Sequence, residues 1–116
     1  MTIRDSIISA RIPGAAFEFR FKASDPTFAG HFPGHPILPG VFQLEMTRSA
    51  AEWTLNCALE IRQVAKAKFQ RPILPEESVR LELKLSETGG VIDARGIFTV
   101  AGERAGETMV KLCRSK

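Results

Sequence analysis

The residues best suited to chemistry lie in one Gly- and Pro-rich stretch and in the apolar segment that follows it. His31 belongs to the stretch, and Glu45 follows fourteen residues later within the sequence VFQLEM. A histidine titrates near neutral pH and transfers protons in either direction. A carboxyl group that loses solvation in a buried helix is suited to the same work. The two residue types at this spacing therefore indicate an acid–base pair.

Each of these residues also has a structural interpretation, which is the better one when the residue is read alone. His31 can satisfy a backbone group in a loop, and His35 offers the same chemistry as His31. Glu45 can lie on the exposed side of a helix, near the positive end of the helix dipole. Only the combination of these residues with the helix start favours catalysis.

Gly40 supplies a third chemical group at the expected start of this helix. The free amide N–H groups of a helix N-terminus stabilise a developing oxyanion, and a glycine lets a carbonyl group approach closely. The structural alternative is a tight turn into the helix. Together, the three parts can polarise a thioester carbonyl, remove its α-proton and protonate a 3-hydroxyl group. That reaction is the dehydration of a 3-hydroxyacyl thioester, or hydration in reverse.

The segment after Gly40 predicts one long helix. Residues 41–59 contain neither Pro nor Gly, and apolar side chains recur in two rows at spacings of three and four. A helix that is apolar on more than one side is a buried helix. Pro39 directly before it suits a helix start.

Alternating polarity predicts strands on both sides of this helix. Before the helix, Phe17, Phe19 and Phe21 alternate with charged residues. After the helix, the same alternation predicts strands at residues 79–85, 91–100 and 105–113. The apolar residues of 61–70 predict one more strand, and the four are expected to form a meander. Runs of strands with one segregated helix predict an α+β fold in which an antiparallel sheet covers the helix.

Length and composition predict a single domain over residues 1–116. The net charge of +3 comes from 16 basic and 13 acidic residues that form no cluster, which argues against a nucleic-acid surface. Residues 1–11 lack the long apolar core that is typical of a signal peptide, so none is expected there. No apolar run approaches the roughly 20 residues that a membrane span needs. Cys57 and Cys113 show no metal-site spacing and are read as reduced thiols, so a cytoplasmic location is expected.

The stretch from Gly30 to Met46, GHFPGHPILPGVFQLEM, closely resembles the active-site signature of the 3-hydroxyacyl-acyl-carrier-protein dehydratases of fatty-acid synthesis. The later sequence AKFQRPILP resembles the strand and turn that follow the helix in that family. The resemblance covers about residues 17–113 in element order. It implies a hotdog fold, in which an antiparallel sheet wraps around one long central helix.

The resemblance also implies an activity and a set of site residues. The expected enzyme is a (3R)-hydroxyacyl thioester dehydratase, a hydro-lyase with no metal or organic cofactor, whose substrate is carried by acyl-carrier protein or CoA. His31 of one subunit in a homodimer, or in a trimer of dimers, is expected to meet Glu45 of the other. Gly40 and the amide of Val41 would hold the oxyanion. The candidates for an apolar tunnel at the dimer interface are Phe32, Pro39, Phe42 and Phe69.

Some features depart from the usual family pattern. His35 stands where the family commonly has lysine, and the absence of Tyr rules out a tyrosine gate. In these features the sequence resembles the short dehydratases of specialised acyl or aryl-polyene synthesis. Two alternatives stay open: a hotdog acyl thioesterase that activates water with a carboxylate, and a non-catalytic acyl-binding subunit.

Overall fold

The computed structural model describes residues 7–11, 16–22 and 40–115, with side chains described in the last two ranges. Six strands and one helix lie in these ranges. Their bounds are β1 Ile7–Arg11, β2 Ala16–Arg20, α1 Val41–Leu55, β3 Leu59–Phe69, β4 Ser78–Thr88, β5 Val91–Val100 and β6 Glu103–Arg114. The sequence pattern does not predict β1, because its residues, IISAR, do not alternate in polarity.

The strands predicted from alternating polarity are confirmed. In β4 the apolar residues Val79, Leu81 and Leu83 are buried, and the charged residues between them are exposed. In β2 the buried residues are Phe17 and Phe19. One face of the sheet therefore carries the core, as period two requires.

The six strands form one antiparallel sheet in the order β1-β2-β4-β5-β6-β3. The predicted meander is correct for β4, β5 and β6 and wrong for β3. Instead of pairing with β4, β3 pairs with β6 along its length, from Leu59 opposite Arg114 to Phe69 opposite Gly106. The chain then crosses the sheet to reach β4, so β3 is an edge strand in this chain.

Helix α1 packs on the apolar face of the sheet, against β3, β4, β5 and β6. Met46, Ala50 and Ala51 are fully buried there, and Trp53 meets Phe17 edge-on with ring centroids 5.6 Å apart.

Val41 is the only mostly exposed residue of α1, and the buried residues, from Ser49 round to Ala51, occupy more than half of the helix circumference. The helix is therefore buried on more than one side, as its two apolar rows predict. Within the described ranges, no helix is long and apolar enough to span a membrane.

Candidate active site

Helix α1 begins directly after Gly40, and the end of β3 lies against this start. Gly40 has φ −56° and caps the helix without any side-chain hydrogen bond. A Cβ atom at this position would lie 2.7 Å from Cε2 of Phe69 and 2.8 Å from its Cδ2. Glycine is therefore favoured here by the position of the Phe69 ring and not by an unusual backbone angle. The structure thus brings together two of the predicted site residues, Gly40 and Phe69.

A cavity of about 250 Å³ opens beside this helix start. It is lined by Gly40, Gln43, Phe69, Gln70, Arg71, Pro72 and Ile73. The first amide N–H groups of a helix have no acceptor within the helix, and they carry the positive end of its dipole. A carbonyl oxygen bound in this cavity would therefore lie close to donors suited to an oxyanion.

Gln43 is a polar residue that sequence reasoning missed. Its side chain is 3% exposed, and its Oε1 atom lies against Gly106 of β6 with no hydrogen-bond partner among the described residues. A Cβ atom at Gly106 would also lie 2.9 Å from the backbone oxygen of Lys68. The only sequence signal for Gln43 was a polar residue inside an apolar stretch.

Glu45 lies in the second turn of α1 and is not buried in the single chain. Its side chain is 38% exposed, which corrects the expectation of a carboxyl group desolvated by a buried helix. Its Oε2 atom accepts hydrogen bonds from Arg48, at 2.6 Å from Nη2 and 3.0 Å from Nε. The bond to this carboxylate raises the pKa of Arg48 above its ordinary value. Arg48 was also missed, although its spacing of three from Glu45 on a helix was a readable signal.

The remaining predicted residues are placed as follows. Val41, the first helical residue, is 58% exposed, and Phe42 is partly buried against the core. Phe69, at the end of β3, is 48% exposed. The predictions for His31, Phe32 and Pro39, and the competing role of His35, lie outside the described residues.

Two sequence comparisons bear on the family of this chain. The model of the ApeI-like family, described as ApeI dehydratase, matches residues 9–108, a range that contains both His31 and Glu45. The 3-hydroxyacyl-[acyl-carrier-protein] dehydratase FabZ of Haemophilus influenzae strain 86-028NP is 35% identical over 102 residues. That match covers 80% of this chain and 69% of the relative.

Solved structures show the same architecture. The dehydratase heterocomplex ApeI:P from Xenorhabdus doucetiae superposes with a TM-score of 0.79 at 26% identity, covering 93% of this chain and 96% of the other. An uncharacterised protein from Erwinia carotovora subsp. atroseptica superposes with a TM-score of 0.69 at 27% identity, covering 86% and 82%. The fold is therefore the hotdog fold that the sequence predicts, and the chain belongs to the ApeI-like dehydratase family.

Proposed function

We propose that this chain removes water from a (3R)-hydroxyacyl thioester to give the trans-2-enoyl thioester, with His31 and Glu45 as its proton-transfer pair. As a member of a dehydratase family it is a hydro-lyase, and its reaction is 3-hydroxyacyl thioester dehydration in fatty-acid or related biosynthesis. The observation that carries the site assignment is the helix start at Gly40, which opens onto a cavity and precedes Glu45 by five residues.

The chemistry follows from the groups around this helix start. Amide N–H groups at Gly40 and Val41 would polarise the thioester carbonyl and so acidify the α-carbon. A base removes the α-proton, the electrons form the Cα–Cβ double bond, and the 3-hydroxyl group leaves as water after it accepts a proton from an acid. His31 and Glu45 divide these two proton transfers between them.

The same proposal includes a homodimer, or a trimer of dimers, in which His31 of one subunit and Glu45 of the other share one active site. Its support is the apolar surface that the single chain leaves open around the helix start and the β3 edge. Exposed apolar side chains at these places are Val41 at the helix start and Val64 and Phe69 on β3. Since the Xenorhabdus relative is a heterocomplex, a second kind of subunit is the competing assembly. Native mass spectrometry of the purified chain, alone and with its cellular partners, distinguishes the two.

The proposed substrate is carried by acyl-carrier protein or CoA, and its acyl chain lies in an apolar tunnel. Phe69 and Phe42 supply apolar surface near the helix start, and Phe32 and Pro39 are the further candidates for the lining. We place the enzyme in the cytoplasm, a compartment that suits its two free thiols, Cys57 and Cys113. Its pathway is fatty-acid synthesis or the synthesis of a specialised acyl or aryl-polyene product.

The test is turnover of a 3-hydroxyacyl thioester, offered both as the CoA ester and on acyl-carrier protein. Enoyl thioester formation is followed by absorbance and mass spectrometry, and free thiol is measured in the same samples. We expect enoyl product from the wild-type chain, with loss of activity in His31→Ala and Glu45→Gln. Full activity in His31→Ala would contradict the assignment. Free thiol without enoyl product would identify a thioesterase, and tight binding without turnover would identify an acyl-binding subunit.

A further inference from the structure

The Glu45 carboxylate is held on one side by a guanidinium group. Both Nη2 and Nε of Arg48 donate to the same oxygen, Oε2, at 2.6 and 3.0 Å. The other oxygen, Oε1, accepts no hydrogen bond from the described part of the chain. One oxygen of this carboxylate is therefore occupied by Arg48, and the other has no partner among the described residues.

The guanidinium group is itself fixed from its far side. Nη1 of Arg48 donates to Oε2 of Glu52 at 3.3 Å and to the backbone oxygen of Leu59 at 3.2 Å. The same Glu52 oxygen accepts the backbone N–H of Leu59 at 2.8 Å. Acceptors from the helix and from the first residue of β3 thus hold the planar donor fork of Arg48 in one orientation. An ordinary exposed ion pair between residues three apart on a helix has no such additional contacts and contributes little to stability.

We infer that Arg48 is a positioning residue for the reaction: it binds Oε2 of Glu45 so that Oε1 faces the substrate. This inference rests on the proposed function, since it presumes that Glu45 acts on substrate. A glutamate side chain that is 38% exposed rotates about three bonds, so its carboxylate needs a fixed partner to hold a reactive geometry. A displacement of about 1 Å in a catalytic group lowers the rate by about a hundredfold.

The experiment compares Arg48→Met and Arg48→Lys with the wild-type full chain, using the 3-hydroxyacyl-CoA substrate. We expect Arg48→Met to lower kcat at least about tenfold with little change in KM, because binding is kept while the reacting carboxylate loses its orientation. Arg48→Lys keeps the positive charge but lacks the donor fork, so its kcat should lie between that of the wild type and that of Arg48→Met. A third variant, Arg48→Ala, leaves space for a free guanidinium ion beside Glu45. Guanidinium added at low millimolar concentration should therefore restore part of its kcat.

Arg95 provides a matched control on the opposite face of the sheet. Its Nε and Nη2 atoms both contact Oε2 of Glu107, at 2.8 and 2.7 Å, in the same geometry as the pair on the helix. Arg95→Met should therefore lose an equivalent ion pair and keep the wild-type kcat. If Arg48→Met and Arg95→Met have the same kcat, the inference is wrong and the Arg48 network serves stability alone.

Two further outcomes keep the test decisive. If Arg48→Met does not fold, Arg48→Lys decides: a lower kcat at an unchanged Tm supports the inference, and a wild-type kcat overturns it. Failure of the proposed function gives a different result, because Glu45→Gln and His31→Ala would then keep their activity. Loss of activity in those two variants, with full activity in Arg48→Met, would overturn only the positioning role.

Discussion

At the scale of single residues, Gly40 shows how a residue at a helix start is constrained by a neighbour remote in sequence. Its φ of −56° suits any residue, so the constraint comes from the ring of Phe69, which occupies the space that a Cβ atom would need. Phe69 is 48% exposed and can move aside, which makes the conflict inexpensive for the fold. Because Phe69 lines the cavity beside the helix start, the same movement would change the shape of that cavity.

We therefore predict that Gly40→Ala affects activity more than stability. The free energy of unfolding should fall by only about 1 kcal/mol, at the low end for overpacking, because the ring can shift. The kcat should fall at least about tenfold, because the new methyl group and the displaced ring alter the cavity that we propose binds the carbonyl. Urea unfolding and steady-state kinetics measure the two effects.

Gly102→Ala is the matched control for this prediction. Gly102 has φ +81° in the turn before β6 and open space around it, so alanine there strains the backbone without touching the cavity. It should lower stability and leave kcat unchanged. A wild-type kcat in Gly40→Ala would contradict the role assigned to the helix start.

How far each site residue could be predicted depends on where its partners lie in the sequence. Glu45 and Gly40 could be predicted as site residues because the signature is a continuous stretch, and the Arg48 contact was within reach because its partner is one helical turn away. Gln43 was out of reach, because its buried environment is made by Gly106 on the last strand. No local pattern reports such a contact.

At the scale of elements, a buried polar contact joins the helix to the sheet. Thr47 of α1 and Thr108 of β6 are both fully buried, with their hydroxyl oxygens 2.7 Å apart. The Thr47 hydroxyl donates to the backbone oxygen of Gln43 at 2.9 Å, so it accepts from Thr108. This pair fixes which turn of the helix faces β6 and therefore where Gly40 and Glu45 lie relative to the sheet.

We predict that Thr47→Val lowers the free energy of unfolding by about 1–3 kcal/mol, because it leaves the Thr108 hydroxyl buried without a partner. Thr108→Val should lower the free energy of unfolding by less, because the Thr47 hydroxyl keeps its hydrogen bond to the backbone oxygen of Gln43. The double variant should cost less than the sum of the two single variants. A double-mutant cycle by urea unfolding, at one protein concentration, measures this coupling. Additive costs would show that the two hydroxyl groups do not interact.

The elements themselves differ in how well their sequences predict them. Strand β4 was predicted because its apolar and charged residues alternate without interruption, so one face must be buried. The position of β3 was not predictable, because two bulges interrupt its register with β6 and most of its residues are exposed. Its pairing depends on β6, which begins 34 residues after β3 ends.

At the scale of the whole molecule, the outer face of the sheet carries a buried acid among several bases. Glu107 is 5% exposed and forms ion pairs with Lys66, Arg95 and Arg104 from three positions around it. Hydrogen bonds from Lys66 and then Arg95 lower the pKa of Glu107 from 4.5 to about 2. These contacts connect β3, β5 and β6 on the side away from the helix.

The lowered pKa predicts how stability depends on pH. Because the folded state favours the charged carboxylate, the contribution of Glu107 is fully present above pH 4.5 and is lost as the pH falls towards 2. Urea unfolding across this range should show falling stability, with a smaller slope in Glu107→Gln. Glu82→Gln is the control, since that side chain is 59% exposed with one ion pair at 3.3 Å. An unchanged slope in Glu107→Gln would contradict this account.

The proposed active site is a property of the assembly, because His31 and Glu45 are assigned to different subunits. The most direct test mixes the inactive variants His31→Ala and Glu45→Gln by co-expression or by refolding together. If sites are shared between two subunits, a random mixture of two-fold dimers contains intact sites and should recover roughly a quarter of wild-type dehydration activity. If the mixture stays as inactive as each variant alone, although mixed dimers are seen by native mass spectrometry, the shared site is wrong.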